Sequence, residues 1–168
     1  MTLCFAQPYD SSVSGFYFST IEDYQAKVAR NRNSEGDKVE EYELQFIDGE
    51  ALDGELFLAL SVHQGTIHAF LAACEDWEEG DKINVILCVG ECGYCFDLEK
   101  DSPDQFDLDL YEFDTLSELA EYFVEEGLFG EIPDHLRYYI DYDAIARDLS
   151  ADYCETLIAG RRLIYRCA

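Results

Sequence analysis

The clearest helical rhythm of apolar and polar positions runs through the stretch from Asp114 to Leu149. Leu116, Leu119, Ala120, Phe123 and Val124 follow the i, i+3, i+4, i+7, i+8 spacing of a buried stripe. Thr115 is placed to cap the first turn, with Glu118 three residues on as in a capping box. Gly127 is placed to end the helix in a left-handed conformation. The outward face carries Glu118, Glu121 and Glu125, like charges at spacings that repel, with no lysine among them. Beyond it, Pro133 opens a short helical turn containing Tyr138 and Tyr139. A further helix starts at an Asp141 cap and buries Tyr142, Ile145 and Leu149. Strands over 153–158 and 162–167 close the chain, joined as a hairpin at Ala159-Gly160.

Upstream the periods are shorter. Residues 3–9 and 15–19 read as strands, and Thr20 caps a helix over 21–31 whose Ile21, Tyr24 and Val28 face inward. Residues 41–47 alternate Tyr42, Leu44 and Phe46 against Glu41, Glu43 and Gln45, the pattern of a half-buried strand. Residues 56–60 and 66–77 read as helical, the second with Ile67, Phe70, Leu71 and Cys74 on one side. The apolar run 83–89 fits helix or strand equally. A strand is expected to follow, with Phe106, Leu108, Leu110 and Glu112 on one side and Asp107, Asp109 and Tyr111 on the other. The expected fold is α+β in three small domains: an N-terminal α+β domain over 1–54, a mainly helical middle over 55–105, and a C-terminal α+β domain over 106–168.

Charge changes this picture most. The chain holds 37 acidic and 11 basic side chains in 168 residues, a formal net charge of −26. Its 48% apolar and 14% aromatic content nonetheless argues for a packed core rather than disorder. A compact chain of this length is about 40 Å across, and duplex DNA carries about 24 charges over that distance. The linear charge density is therefore close to that of DNA. Such a surface repels nucleic acid and anionic membranes and favours a basic protein partner. From Asp97 to Glu126 the acids crowd together, with Lys100 the only base among them.

Candidate chemistry adds little. Cys88, Cys92 and Cys95 have the CxxxCxxC spacing of radical S-adenosylmethionine enzymes, but mid-chain and without alternating strands and helices. With His63 or His68 they would make a zinc set; the apolar run around them equally suits buried thiols. No Gly-rich phosphate loop or nucleophile motif occurs. The carboxylates are therefore expected to display charge rather than act as general acid and base, in a protein that is not an enzyme and has no catalytic residue, metal or cofactor. No apolar run has transmembrane length, no signal pattern is present, and seven cysteines without one point to reduced thiols in a cytoplasm. Phe123, Leu128 and Phe129 offer more apolar surface around Gly127 than one small domain covers, which marks them as a homodimer contact.

LAEYFVEEGLFGEIP followed by LRYYIDYDAIARDL resembles the C-terminal part of ArdA-type antirestriction proteins. The residues that carry the resemblance are Tyr139, Ile140, Asp141, Tyr142, Ala144, Arg147, Asp148 and Leu149. It is close over 106–168 and looser over 1–50. It implies an elongated, homodimeric DNA mimic, carried by mobile genetic elements, that occupies the DNA groove of type I restriction–modification enzymes. It implies a block of restriction, either alone or together with modification. The segment from Leu119 to Pro133 corresponds to the family's antirestriction motif, at or near the dimer contact. On that reading the partner-binding carboxylates are Asp97, Asp101, Asp104, Asp107, Asp109, Glu112, Asp114, Glu118, Glu121, Glu125, Glu126, Glu131, Asp141, Asp143 and Asp148. The alternatives are an acidic inhibitor of another DNA-binding protein, such as a CRISPR effector or a nucleoid protein, and a cysteine-ligated metal protein.

Overall fold

The computed structural model of the chain describes residues 1–167 and divides into two compact units, Met1–Phe106 and Asp107–Ala168. Its described residues form helices and two three-stranded antiparallel sheets, an α+β fold.

In the first unit, β1 (Leu3–Pro8) lies between β2 (Phe16–Phe18) and β3 (Tyr42–Asp48). The inward positions of central β1 include Cys4 and Ala6, both fully buried and both small. Their size leaves room for rings from either side. Phe16, Phe18, Tyr24 and Tyr42 gather there with neighbouring centroids 4.8–6.5 Å apart. Tyr24 comes from α1 (Ile21–Arg30), which starts as expected with the Thr20 hydroxyl accepting from the Asp23 N–H.

Three helices follow: α2 (Ala51–Ala59), α3 (Ile67–Asp76) and α4 (Glu79–Val85). Helix α2 begins five residues before the expected start at Leu56, because Gly54 hides it. The ring of Phe46 in β3 lies over that glycine, and a Cβ there would meet it at 3.2 Å. The run left open between helix and strand is helical. It forms the end of α4 and a π-helical turn, Ile86–Glu91, in which the Cys92 N–H donates to the Leu87 carbonyl. The Lys82 ammonium lies 2.7 Å from the Asp53 carboxylate, both side chains buried, and also donates to the Cys74 carbonyl. Thr2 donates to the other Asp53 oxygen. Four segments far apart in sequence are thus tied to one charge pair.

The second unit has β6 (Arg161–Cys167) between β4 (Leu108–Tyr111) and β5 (Cys154–Ile158). Strands β5 and β6 join through Ala159 and Gly160, both at positive φ (49° and 79°), as a tight right-twisted hairpin requires. Helices α5 (Leu116–Glu125) and α7 (Tyr142–Leu149) pack together, with the short α6 (Asp134–Arg137) between them in sequence. Leu119, Phe123, Tyr153 and Ile164 form the core, with Tyr111, Phe113, Leu116 and Leu149 packed against it. Of α7, Ala146 is its buried residue, while Tyr142, Ile145 and Leu149 are half-buried.

The strand expected from Phe106 is shorter than its alternation implied. Phe106 lies outside it, in the first unit, its ring stacked on that of Tyr94 and tilted against that of Phe96, each at 5.8 Å. Tyr111, expected on the same side as the aspartates, packs into the core, its ring 5.5 Å from that of Phe123.

Candidate functional site

The acidic helix α5 is fixed at both ends by local bonding. At its start the Thr115 hydroxyl accepts from the Glu118 N–H at 3.3 Å. The Glu118 carboxylate reaches back to the Asp114 N–H at 2.8 Å, one residue earlier than a capping box places it. Glu155, from β5, accepts from the Leu116 N–H at 2.8 Å. Two carboxylates therefore sit at the positive end of the helix, where its dipole favours them. At its finish Gly127, at φ 76°, donates to the Val124 carbonyl while Leu128 donates to that of Phe123. That pair of bonds is a Schellman termination, which favours glycine at its left-handed residue.

Between those ends Glu118, Glu121 and Glu125 are exposed along the outward face. Among the described residues, no cation lies within ion-pair distance of Glu121 or Glu125. Asp107, Asp114, Glu126 and Glu131 are also exposed. Glu125, Glu131 and Asp134 border an open cleft of about 460 Å³ below the helix end, with Val124, Pro133 and Arg137 completing its rim. The start of α7 lies beside that of α5: Asp141 caps α7 by accepting from the Ala144 N–H, and Asp143 accepts from the Ser117 hydroxyl at 2.6 Å. Two acidic helix starts therefore stand side by side, and Asp148 is exposed on the last turn of α7.

Not every expected carboxylate is unneutralised. Asp109 is ion-paired with Arg166 and Glu112 with Arg161, both arginines lying on strand β6. Asp97, in the first unit, is bonded to Lys100 and to the Glu99 N–H, which hold its carboxyl below the usual carboxylate range. Asp101 accepts from the Asp97 N–H, and Asp104 bonds to the Ser102 hydroxyl. These two close local turns rather than extending the helix row.

Of the apolar residues expected at a dimer contact, Leu128 and Phe129 are 62% and 54% exposed. Phe123 is a correction: at 4% exposure it belongs to the core, because it lies on the inward stripe of α5. The cysteine run does not converge either. Cys88 is fully buried on the π-helical turn and Cys95 is exposed. Among the described residues, no three His, Cys, Asp or Glu side chains gather as a metal site. Cys4, Cys74, Cys88, Cys95 and Cys154 are free thiols. No helix among the described residues is long and apolar enough to cross a membrane.

Sequence periodicity missed Glu155 as a helix-end carboxylate, since nothing local links it to α5. It also gave no role to Tyr138 and Tyr139, which stand almost fully exposed. Their signal was a pair of adjacent rings outside any apolar stripe.

A family model described as Antirestriction protein (ArdA) matches residues 8–160. The chain belongs to the ArdA family. The match includes the middle of the chain as well as the α5 and α7 segments. ArdA proteins are antirestriction inhibitors that interact with restriction enzymes, rather than a known enzyme family. No curated protein matched this chain.

Proposed function

We propose that this ArdA protein acts as a DNA mimic, occupying the basic DNA-binding groove of type I restriction–modification enzymes in the cytoplasm. The observation that carries the reading is the row Glu118, Glu121 and Glu125, exposed on a helix locked at both ends, in a chain of net charge −26. A fixed row of carboxylates presents charge to a groove built for phosphates without base readout. Capping matters here, because a helix that frays would lose the spacing of its charges. Asp114, Glu126, Glu131, Asp141, Asp143 and Asp148 extend the display, and Asp107 precedes it. Asp109 and Glu112 contribute less, each being held by an arginine of the same sheet.

The same reading takes the protein as a homodimer joined through Leu128 and Phe129, whose exposed side chains flank the Gly127 turn. Occupation of the shared DNA site would block modification together with restriction.

Pull-down of a type I methyltransferase core, followed by affinity measurements from about 50 to 500 mM salt, tests the reading. Attraction between a carboxylate row and a basic groove weakens steeply as the Debye length shrinks. Affinity that stays flat with salt would remove the acidic surface from the interaction.

A further inference from the structure

Tyr138 and Tyr139 close the four-residue helix α6 and are 94% and 83% exposed, the barest aromatic rings in the chain. Burying such rings against their own chain would be favourable, so two adjacent ones left in water mark a surface that meets something else. They border an open cleft of about 490 Å³, together with Ile140, Asp141, Tyr142 and Asp143. Asp141 and Asp143 are fixed there by the α7 cap and by Ser117, and Tyr142 is half-buried, so the floor is held while the two outer rings stand free.

We infer that this cleft receives arginine side chains of a basic partner protein. It deepens the reading above, on which it rests for the partner's basic character. Each of the two aspartates spends one oxygen on its positioning bond, and a carboxylate has further lone pairs to offer. Tyrosine faces attract a cation, and a planar guanidinium stacks on a ring while bonding a carboxylate in the same plane. An ammonium of lysine satisfies the charge without the stacking. Stacked nucleic-acid bases would suit the rings alone, but their phosphates would meet Asp141 and Asp143. The site thus supplies what the bare carboxylates of α5 lack, a preference for one kind of cation over another.

Hexa-arginine and hexa-lysine peptides titrated into the intact protein by calorimetry test this. The arginine peptide should bind roughly threefold more tightly, and the preference should vanish in a Tyr138→Ala/Tyr139→Ala variant. It should survive in the Tyr138→Phe/Tyr139→Phe variant, which keeps both rings. Thermal melting of the variants confirms that each is folded. Equal binding of the two peptides by the unaltered protein, or an arginine preference undiminished by the alanine pair, would overturn the proposal. So would sedimentation showing that the alanine pair dissociates a dimer, since the rings would then bind a second copy. On a type I methyltransferase core the alanine pair should lose roughly fivefold in affinity. A protein that discriminates the peptides but ignores that core would overturn the restriction target and leave the arginine site standing.

Discussion

Asp109 and Arg166 face each other on adjacent strands, and their side chains form an ion pair. The guanidinium also lies 5.1 Å from the centre of the Tyr153 ring, so one arginine joins the acidic edge strand to an aromatic of the core. This pairing removes Asp109 from the free charge of the surface. It makes the carboxylates of the second unit unequal, although their sequence gives no hint of rank.

Arg166→Gln should therefore change two properties in opposite directions. Losing the stacking and the ion pair should lower the urea midpoint slightly. Releasing Asp109 should tighten binding to a basic target a few-fold at low salt. Urea denaturation and affinity measured on one preparation check both. A variant that binds more weakly while remaining folded would place Arg166 itself in the contact.

The α5 carboxylates divide by position along the helix. Glu118→Gln removes charge from the dipole's positive end and should cost about 0.3–1 kcal/mol. Glu125→Gln removes charge from the negative end and relieves repulsion by Glu121, so it should stabilise the fold by a similar amount. Each should weaken inhibition by less than about tenfold, because an exposed ion pair contributes little singly. Denaturation midpoints with equal signs would contradict this assignment of the helix ends.

Local signals were the legible part of this chain. The Thr20, Thr115 and Asp141 caps, the Gly127 termination and the Ala159-Gly160 hairpin each lie within a few residues of their partners. All were readable, and the α+β class with them. The Asp53–Lys82 pair spans 29 positions and left no trace in the periodicity. Which acids are neutralised depends on strand register, so the Arg166 partner of Asp109 and the Arg161 partner of Glu112 were invisible beforehand. Alternation also misled at the strand edge, where Phe106 lies outside β4 and packs against Tyr94 and Phe96, and Tyr111 turns into the core.

Burial separates the three residues first grouped as a dimer contact. Phe123→Ala should cost about 3–5 kcal/mol by opening the core of the second unit. Leu128→Ser and Phe129→Ser together should leave stability within about 0.5 kcal/mol per site and shift the protein from dimer to monomer. Sedimentation at micromolar concentration reads the second effect. A monomeric unaltered protein that still inhibits would end the dimer proposal.

Alkaline pH should weaken the first unit. Burial pushes the Cys4 thiol up to about 11, and burial with the nearby Asp53 charge pushes Cys74 up to about 12, from an ordinary value of 9.0. Between pH 9 and 11 the unfolded chain releases these protons while the folded chain keeps them. Their contribution is thus fully present below pH 9 and lost as pH rises toward those folded values. Unfolding free energy measured against pH should fall over this window, and less steeply in Cys4→Ala. An identical slope in that variant would assign the loss to other groups.

Mimicry itself is tested most directly by displacement. A fluorescent duplex bound to a type I methyltransferase core should be released as this protein is added, and excess duplex should in turn release the protein. The midpoint of release should rise in proportion to the duplex concentration, as mutual exclusion requires. A complex holding core, duplex and protein together, with duplex affinity unchanged, would contradict the account.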